Sequence, residues 1–262
     1  MDLQLKDKIA LVTAASKGLG KAAAFELARE GARVVICARS ELIETAAADI
    51  RAATNAEILA VRADVTAPAD VTRLVQAALD RFGRIDILIA NAGGPRPGNF
   101  LDLSPADWEA AAQLTLMSAV RLFYAVTPHM LAQGSGSIVA IESVSIKQPV
   151  DNLILSNLLR LAVIGLLKSM ANELGPRGIR VNSINPTFTW TERVAQLLQN
   201  RAANRGTDLE EEAERMAAAI PLRRMGDVAE FGRAIAWLAS PAASFIHGHN
   251  LMFDGGASQF PI

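Results

Sequence analysis

The sequence predicts a doubly wound α/β fold: seven parallel strands in one sheet, with helices on both faces. Three observations carry this expectation. Short runs rich in Val, Ile, Leu and Ala recur between longer helical patterns. Each run is almost continuously apolar, and the first leads directly into a glycine-bearing turn. A strand covered on both faces has no solvent side, so it loses the alternation of a half-exposed strand. Parallel neighbours need crossovers, and these are right-handed almost without exception.

The runs fall at residues 9–12, 34–37, 58–61, 85–90, 137–141, 180–184 and 250–253. The first crossover helix is expected to start near Gly20 and close at Glu30-Gly31, where Gly supplies a left-handed residue. The second run contains the only cysteine, Cys37, expected as a buried small hydrophobe rather than a reactive thiol. Polar or glycine-bearing segments follow the carboxyl ends of later runs: Asp64-Val65, Asn91-Ala92-Gly93-Gly94, Glu142-Ser143, Asn185-Pro186 and Asp254-Gly255-Gly256. Ligands of open α/β sheets bind at those ends. Residues 187–225 form a connection far longer than usual and are expected to be a substrate lid. Its acidic stretch from Asp208 to Glu212 reads as the solvated start of a helix.

With 262 residues, 51% apolar and 20% charged, the chain can bury one large core, and residues 1–262 are expected to form one domain. A net charge of −1 provides no basic stripe for nucleic acid or an anionic membrane, so a small-molecule substrate is expected. No run appears long enough in sequence to span a membrane, and the charged N-terminus lacks the apolar segment of a signal peptide. A single cysteine excludes an internal disulfide framework and fits a reducing cytoplasm. His247-Gly248-His249 has metal-like spacing without a third ligand, so a structural role is expected and no metal.

Thr13-Ala14-Ala15-Ser16-Lys17-Gly18-Leu19-Gly20 resembles the Thr-Gly-x-x-x-Gly-x-Gly turn of the short-chain dehydrogenase/reductase family, with Ala14 in place of the first glycine. Asn91-Ala92-Gly93 resembles its Asn-Ala-Gly, and Asp64 its adenine-binding Asp. With Pro186, Thr189 and Thr191, the resemblance runs the length of the chain, chiefly to members like 3-oxoacyl-acyl-carrier-protein reductase. It implies a Rossmann-type fold and a nicotinamide cofactor held by Thr13, Ala15, Ser16, Lys17, Gly18, Leu19, Gly20, Arg39, Asp64, Val65, Asn91, Ala92, Gly93, Arg160, Pro186, Thr189 and Thr191. NAD-specific members carry a carboxylate after the second strand; here Ala38 and Arg39 stand there, with Lys17 nearby. NADP(H) is therefore expected over NAD(H).

The same resemblance implies an active site of Asn, Ser, Tyr and Lys, and only Ser143 matches. Ser156 and Arg160 fall in the Tyr and Lys positions, and Thr115 in the Asn position. The only tyrosine, Tyr124, cannot restore the motif, because its fourth neighbour onward is Pro128. A Tyr hydroxyl of pKa ~10 can be tuned toward neutrality, whereas a Ser hydroxyl is far weaker and guanidinium keeps its proton above pH ~12. Ser156 and Arg160 share a helix face and could still stabilise an oxyanion with Ser143. A desolvated Lys147 is the expected proton source; water relayed through Ser143 is the alternative. Arg96 could meet a substrate carboxylate or phosphate, or be solvated. Phe188 and Trp190 could cover the pocket. Three readings stand: an NADP(H)-dependent carbonyl or alcohol oxidoreductase with a non-standard proton relay, a non-redox enzyme reusing the oxyanion site, and a nucleotide-binding protein without catalysis. The first is preferred. The family resemblance and the apolar helix from Leu158 to Met170 imply a homotetramer or homodimer.

Overall fold

The computed structural model describes residues 1–260. Its strands are β1 (Ile9–Val12), β2 (Arg33–Ala38), β3 (Ile58–Arg62), β4 (Ile87–Ala90), β5 (Gly136–Ile141), β6 (Ile179–Pro186) and β7 (Asn250–Phe253). They form a single parallel sheet in the order β3-β2-β1-β4-β5-β6-β7. The helices are α1 (Gly18–Arg29), α2 (Leu42–Thr54), α3 (Pro68–Phe82), α4 (Pro105–Ala112), α5 (Ser118–Gln133), α6 (Ile154–Leu174), α7 (Glu192–Arg205), α8 (Leu209–Ala218) and α9 (Val228–Ala239). The expected doubly wound sheet is the observed one.

Two apolar cores sandwich the sheet. One gathers α1, α2 and α9 around Leu27, Ile43, Ile50, Phe231 and Ile235; the other gathers α3, α5 and α6 around Leu74, Leu122, Val126, Val163 and Leu167. Both faces of β1 are buried, which accounts for its unbroken apolar run. Phe231 meets Phe253 edge-on, with centroids 5.4 Å apart, joining α9 to β7.

β4 begins two residues later than its apolar run. The backbone of Ile85 is bonded on both sides by the Gln133 side chain, and the Asp86 carboxylate accepts from the Ile9 N–H at 2.9 Å. Helix α1 closes as expected, with Glu30 as cap and Gly31 at φ +89°. Cys37 is fully buried, and burial pushes its thiol up to about 12, as suits an inert core residue.

Two helical runs reach the length of a membrane span, contrary to the sequence expectation: residues 105–133 and 154–177, with mean hydropathies of 1.2 and 1.5. Their length arises because α4 continues into α5 and because α6 runs along β6. In both, one face is packed into the core on the sheet. The other face of α6 is not covered: Leu158 and Leu161 are exposed, as is Tyr124 on α5.

The long connection holds α7 and α8. It is pinned at its base by Trp190 N–H donating to the Gly226 carbonyl at 2.8 Å and Gly226 N–H donating to the Phe188 carbonyl at 3.1 Å. The acidic start of α8 is only partly solvated. Asp208 caps the helix, but Glu212 is buried and accepts from Arg205, Thr207 and Arg215, clamping α7 to α8.

Candidate active site

Neighbouring β1 and β4 send their connections to opposite faces of the sheet, which opens a crevice at their carboxyl ends. Thr13 and Asn91 tie its two walls together. Thr13 Oγ1 donates to the Asn91 carbonyl at 2.7 Å and accepts from Asn91 N–H at 2.8 Å, while Asn91 Nδ2 donates to the Ala14 carbonyl at 3.3 Å. The turn then enters α1, whose N-cap Lys17 makes no side-chain cap bond, so first-turn amides face the crevice uncapped. A Cβ on Gly20 would lie 2.5 Å from the Ala14 carbonyl oxygen and 2.8 Å from Asn91 Nδ2. Only glycine lets the helix approach the strand this closely. Gly18, at φ +58°, faces the Thr191 methyl across the crevice.

Ala15 points into the core and spends its N–H on the Cys37 carbonyl, so it supports the turn without offering a donor to a ligand. Leu19 packs on the core below, and Ser16 is half-buried. Ala14, where the resembled motif has Gly, sits at φ +49°, a conformation that a β-carbon disfavours by roughly 1–2 kcal/mol. The departure therefore strains the backbone. Ala14→Gly should raise the unfolding free energy by about 1 kcal/mol in urea titration, and an unchanged midpoint would show that the strain is absorbed elsewhere.

On the side of β2 and β3, Asp64 folds its Oδ1 back onto the Thr66 N–H and hydroxyl, both at 2.8 Å, with buried Val65 between them. Arg39 lies 4.0 Å from Asp64 Oδ2, and Arg62 donates to the Arg39 carbonyl at 2.9 Å. Lys17 is 3.6 Å from Glu192, with both side chains largely exposed. Such exposed pairs are weak and leave the cations available to an incoming phosphate.

Between β4, β5 and α6 lies the most chemically loaded part of the crevice. Residues Gln113–Met117 widen into a π-helical turn between α4 and α5, a feature frequent at functional sites. Thr115 lies within it, its buried Oγ1 without a hydrogen-bond partner. Thr115 lines a void of about 10 Å³ with Asn91, Gly93, Glu142 and Arg160, room for one water-sized group. Ser143 caps the turn after β5 by accepting from Ser145 N–H at 3.2 Å. Lys147 ends that turn, half-buried and not among the residues lining the void.

Ser156 and Arg160 stand one turn apart on α6, as their spacing requires, and Arg160 Nε donates to Ser156 Oγ at 3.0 Å. Arg160 Nη1 donates to the Ile141 carbonyl at 3.3 Å and to Glu142 Oε2 at 3.1 Å. Glu142 is buried, and burial pushes its carboxyl up to about 7 even though Arg160 pulls it down. Sequence reasoning missed Glu142. The available signal was an acid directly after an apolar strand, one residue before Ser143.

Arg96 is drawn away from the crevice into a 2.9 Å pair with Asp107, a carboxylate also held by the Ser104 backbone and hydroxyl. Pro186 ends β6 in the interior, Thr189 is buried beside it, and Thr191 caps α7 by accepting from Val194 N–H at 3.3 Å. Trp190 is about half exposed. Arg193, another residue the sequence did not single out, lays its guanidinium against Gly94. His247 is structural: Nδ1 accepts from Val181 N–H at 3.1 Å and Nε2 meets the Ala171 carbonyl at 2.8 Å. A larger hollow of about 670 Å³ lies at the opposite, amino end of the strands, between Lys8, Asp86, Gly136 and Phe245, so size does not mark the chemistry here.

These features define a dinucleotide-type crevice with a polar pocket at the carboxyl ends of the strands. A family profile described as Enoyl-(Acyl carrier protein) reductase matches residues 13–258. Oxidoreductase UcpA of Escherichia coli is 35% identical over 258 residues, covering 97% of this chain and 96% of the relative. A 3-oxoacyl-(acyl-carrier-protein) reductase of Synechocystis sp. is likewise 35% identical, covering 98% of this chain and 99% of the relative. The solved L-sorbose reductase of Gluconobacter frateurii, complexed with NADPH and L-sorbose, superposes with a TM-score of 0.96 at 29% identity, covering 99% of this chain and all of that one. The chain belongs to the short-chain dehydrogenase/reductase family and is an oxidoreductase of that type.

Proposed function

We propose that the protein is an NADP(H)-dependent reductase of a carbonyl group, or its reverse, working through a proton relay that lacks the family's Tyr and Lys. The observation that carries the reading is the pairing of Arg160 with Ser156 and with the buried Glu142, which directly precedes Ser143, beside Asn91–Gly93 in a crevice that only glycine at position 20 leaves open. Thr13, Ser16, Gly18, Leu19 and Gly20 shape the diphosphate cradle, Ala15 supports it, and the uncapped start of α1 supplies donors. Asp64 and Val65 would hold the adenine, and Asn91, Ala92, Gly93, Pro186, Thr189 and Thr191 the nicotinamide half. Lys17 and Arg39 favour a 2′-phosphate, and Ala38 offers no carboxylate to a 2′-hydroxyl. Among relatives, the L-sorbose reductase holds NADPH, whereas a xylitol dehydrogenase of the same fold holds NAD+. The fold admits both cofactors, and the side chains at positions 17 and 39 are what favour NADP(H).

When bound, a nicotinamide would supply a hydride to the carbonyl carbon, and a proton would have to reach the oxygen. Ser156 and Arg160 occupy the Tyr and Lys positions, and Thr115 the Asn position. Because Ser156 Oγ accepts from Arg160, its own proton is free to be donated, and the adjacent guanidinium favours negative charge nearby. Ser143, accepting from a backbone amide, is likewise free to donate. Two hydroxyl donors thus stabilise the developing alkoxide. Lys147 is the first candidate to resupply the proton, and Glu142, titrating near neutrality, is the second. Arg160 Nη2 remains for ribose hydroxyls. We read residues 1–262 as one domain, the stretch 187–225 as its lid, and the protein as cytoplasmic. It acts on a small molecule and binds neither nucleic acid nor membrane. The exposed Leu158, Leu161 and Tyr124 suit a dimer or tetramer contact.

Calorimetry should show NADPH binding at least about tenfold more tightly than NADH, one charge-assisted contact being worth roughly 1.5–3 kcal/mol. Arg39→Ala should remove most of that preference. Single-turnover reduction of a carbonyl panel should slow by about a hundredfold in Ser143→Ala. NADPH binding without hydride transfer to any carbonyl would leave a non-redox or non-catalytic protein, and failure to bind either nucleotide at millimolar concentration would end the cofactor reading.

A further inference from the structure

Arg193 stands at the start of α7, in the first helical turn, where the helix dipole disfavours a cation. Its place is nonetheless fixed. Thr191 packs on Gly18 and Glu192 pairs with Lys17, which docks the beginning of α7 on the glycine turn. Across the crevice, the guanidinium fills the space above Gly94. A Cβ there would lie 2.5 Å from Nη1 and 2.7 Å from Nη2, so Gly94 is the seat of this side chain. Although the residue as a whole is exposed, loss of water around the guanidinium lowers its pKa, and the charge of Arg160 nearby lowers it further. No carboxylate is paired with it among the described residues, and the buried acid in the pocket, Glu142, is already engaged by Arg160. Two guanidinium groups therefore stand near each other with one carboxylate, which only Arg160 engages, leaving the charge of Arg193 unpaired beside Gly94.

We propose that Arg193, seated on Gly94 and neighbouring Arg160, is an anion-binding subsite that selects a carbonyl substrate carrying a carboxylate. The inference rests on the reductase reading for the word substrate; the anion site itself does not depend on it. The cofactor's 2′-phosphate is placed with Lys17 and Arg39, toward β2, whereas Gly94 lies past the Asn91–Gly93 stretch assigned to the nicotinamide half. A guanidinium meeting a carboxylate through two parallel N–H groups gives both charge and orientation, and would aim the carbonyl of a short oxo acid at Ser143 and Ser156.

The test pairs 2-oxo and 3-oxo acids with their methyl esters as substrates of the NADPH-loaded enzyme. The acids should exceed their esters in kcat/KM by about tenfold to a hundredfold, the size of one charge-assisted pair. That ratio should fall to near one in Arg193→Ala, and likewise in Gly94→Ala, which evicts the guanidinium while keeping it in the chain. A second readout needs no turnover: benzoate, but not benzamide, should bind the protein in calorimetry with NADP+ present, and Arg193→Ala should abolish it. Equal losses on acid and ester would overturn the proposal, as would a loss that appears as weaker NADP+ affinity, placing the guanidinium on the cofactor diphosphate. Benzoate binding that depends on Arg193 without turnover of any carbonyl would keep the subsite and remove the reductase reading. Absence of both acid preference and benzoate binding removes the subsite.

Discussion

Replacing Arg160 with Met is expected to destabilise the protein by about 1–1.5 kcal/mol more at pH 8 than at pH 5. The cause is Glu142. Its carboxyl is buried, and Arg160 is what lowers its pKa against the burial that raises it to about 7. A carboxyl whose folded pKa lies above its ordinary value of 4.5 contributes stability below that value, and the contribution is lost as pH rises through about 7. In the native protein this window already costs roughly 3 kcal/mol. Without the guanidinium the carboxyl shifts further up, and ionising it above neutrality becomes harder still. At pH 5 it is protonated in either protein, so the loss is that of neutral-acceptor hydrogen bonds to Ile141, Ser156 and the Glu142 carboxyl. Urea unfolding of Arg160→Met, Glu142→Gln and the double variant at both pH values tests this. In the Glu142→Gln background the Arg160→Met loss should be the same at both pH values, and an Arg160→Met loss that is already equal at the two pH values in the parent would acquit the buried acid.

That pair also shows where sequence reading stops. The seven strands were legible because burial on both faces makes an unbroken apolar run, and β1 and β7 fall at their expected residues. The beginning of β4 was not, because the side chains of Gln133 and Asp86 engage the backbone around it. The cradle around Thr13 to Gly20 was legible because glycine and threonine are demanded by local geometry, and such demands leave a pattern in neighbouring residues. The α6 pair was legible because residues four apart must share a face.

Glu142 and Arg193 carry no such local demand. Glu142 matters only because α6 brings Arg160 to the end of β5, and Arg193 only because α7 crosses back over the loop after β4. Both depend on contacts between elements far apart in the chain, which spacing alone does not encode. Arg96 failed for the complementary reason: its neighbourhood in sequence suggested the pocket, but Asp107, presented by the start of α4, captures it. At Ala14 the residue type alone does not reveal strain; its φ of +49° shows that the turn itself adopts the left-handed conformation.

Gly20→Ala should weaken NADPH binding at least about tenfold while costing about 1–3 kcal/mol of stability, because the new methyl has nowhere to go. On one side it meets the Ala14 carbonyl oxygen at 2.5 Å, on the other Asn91 Nδ2 at 2.8 Å, and the first of these is backbone. Relief requires the turn from Thr13 to move away from β4, which breaks the Asn91–Ala14 bond and lifts the start of α1 from where a diphosphate would rest. Gly93→Ala provides the contrast. Among the described residues a Cβ there meets nothing within 4 Å, so folding stability should stay within about 0.5 kcal/mol of the parent. If the nicotinamide half lies against that stretch, the same methyl should still weaken NADPH binding. Calorimetric affinity and urea midpoints for the two variants therefore separate a glycine kept for the fold from one kept for the ligand. Full NADPH affinity in Gly93→Ala would move the nicotinamide away from the loop after β4.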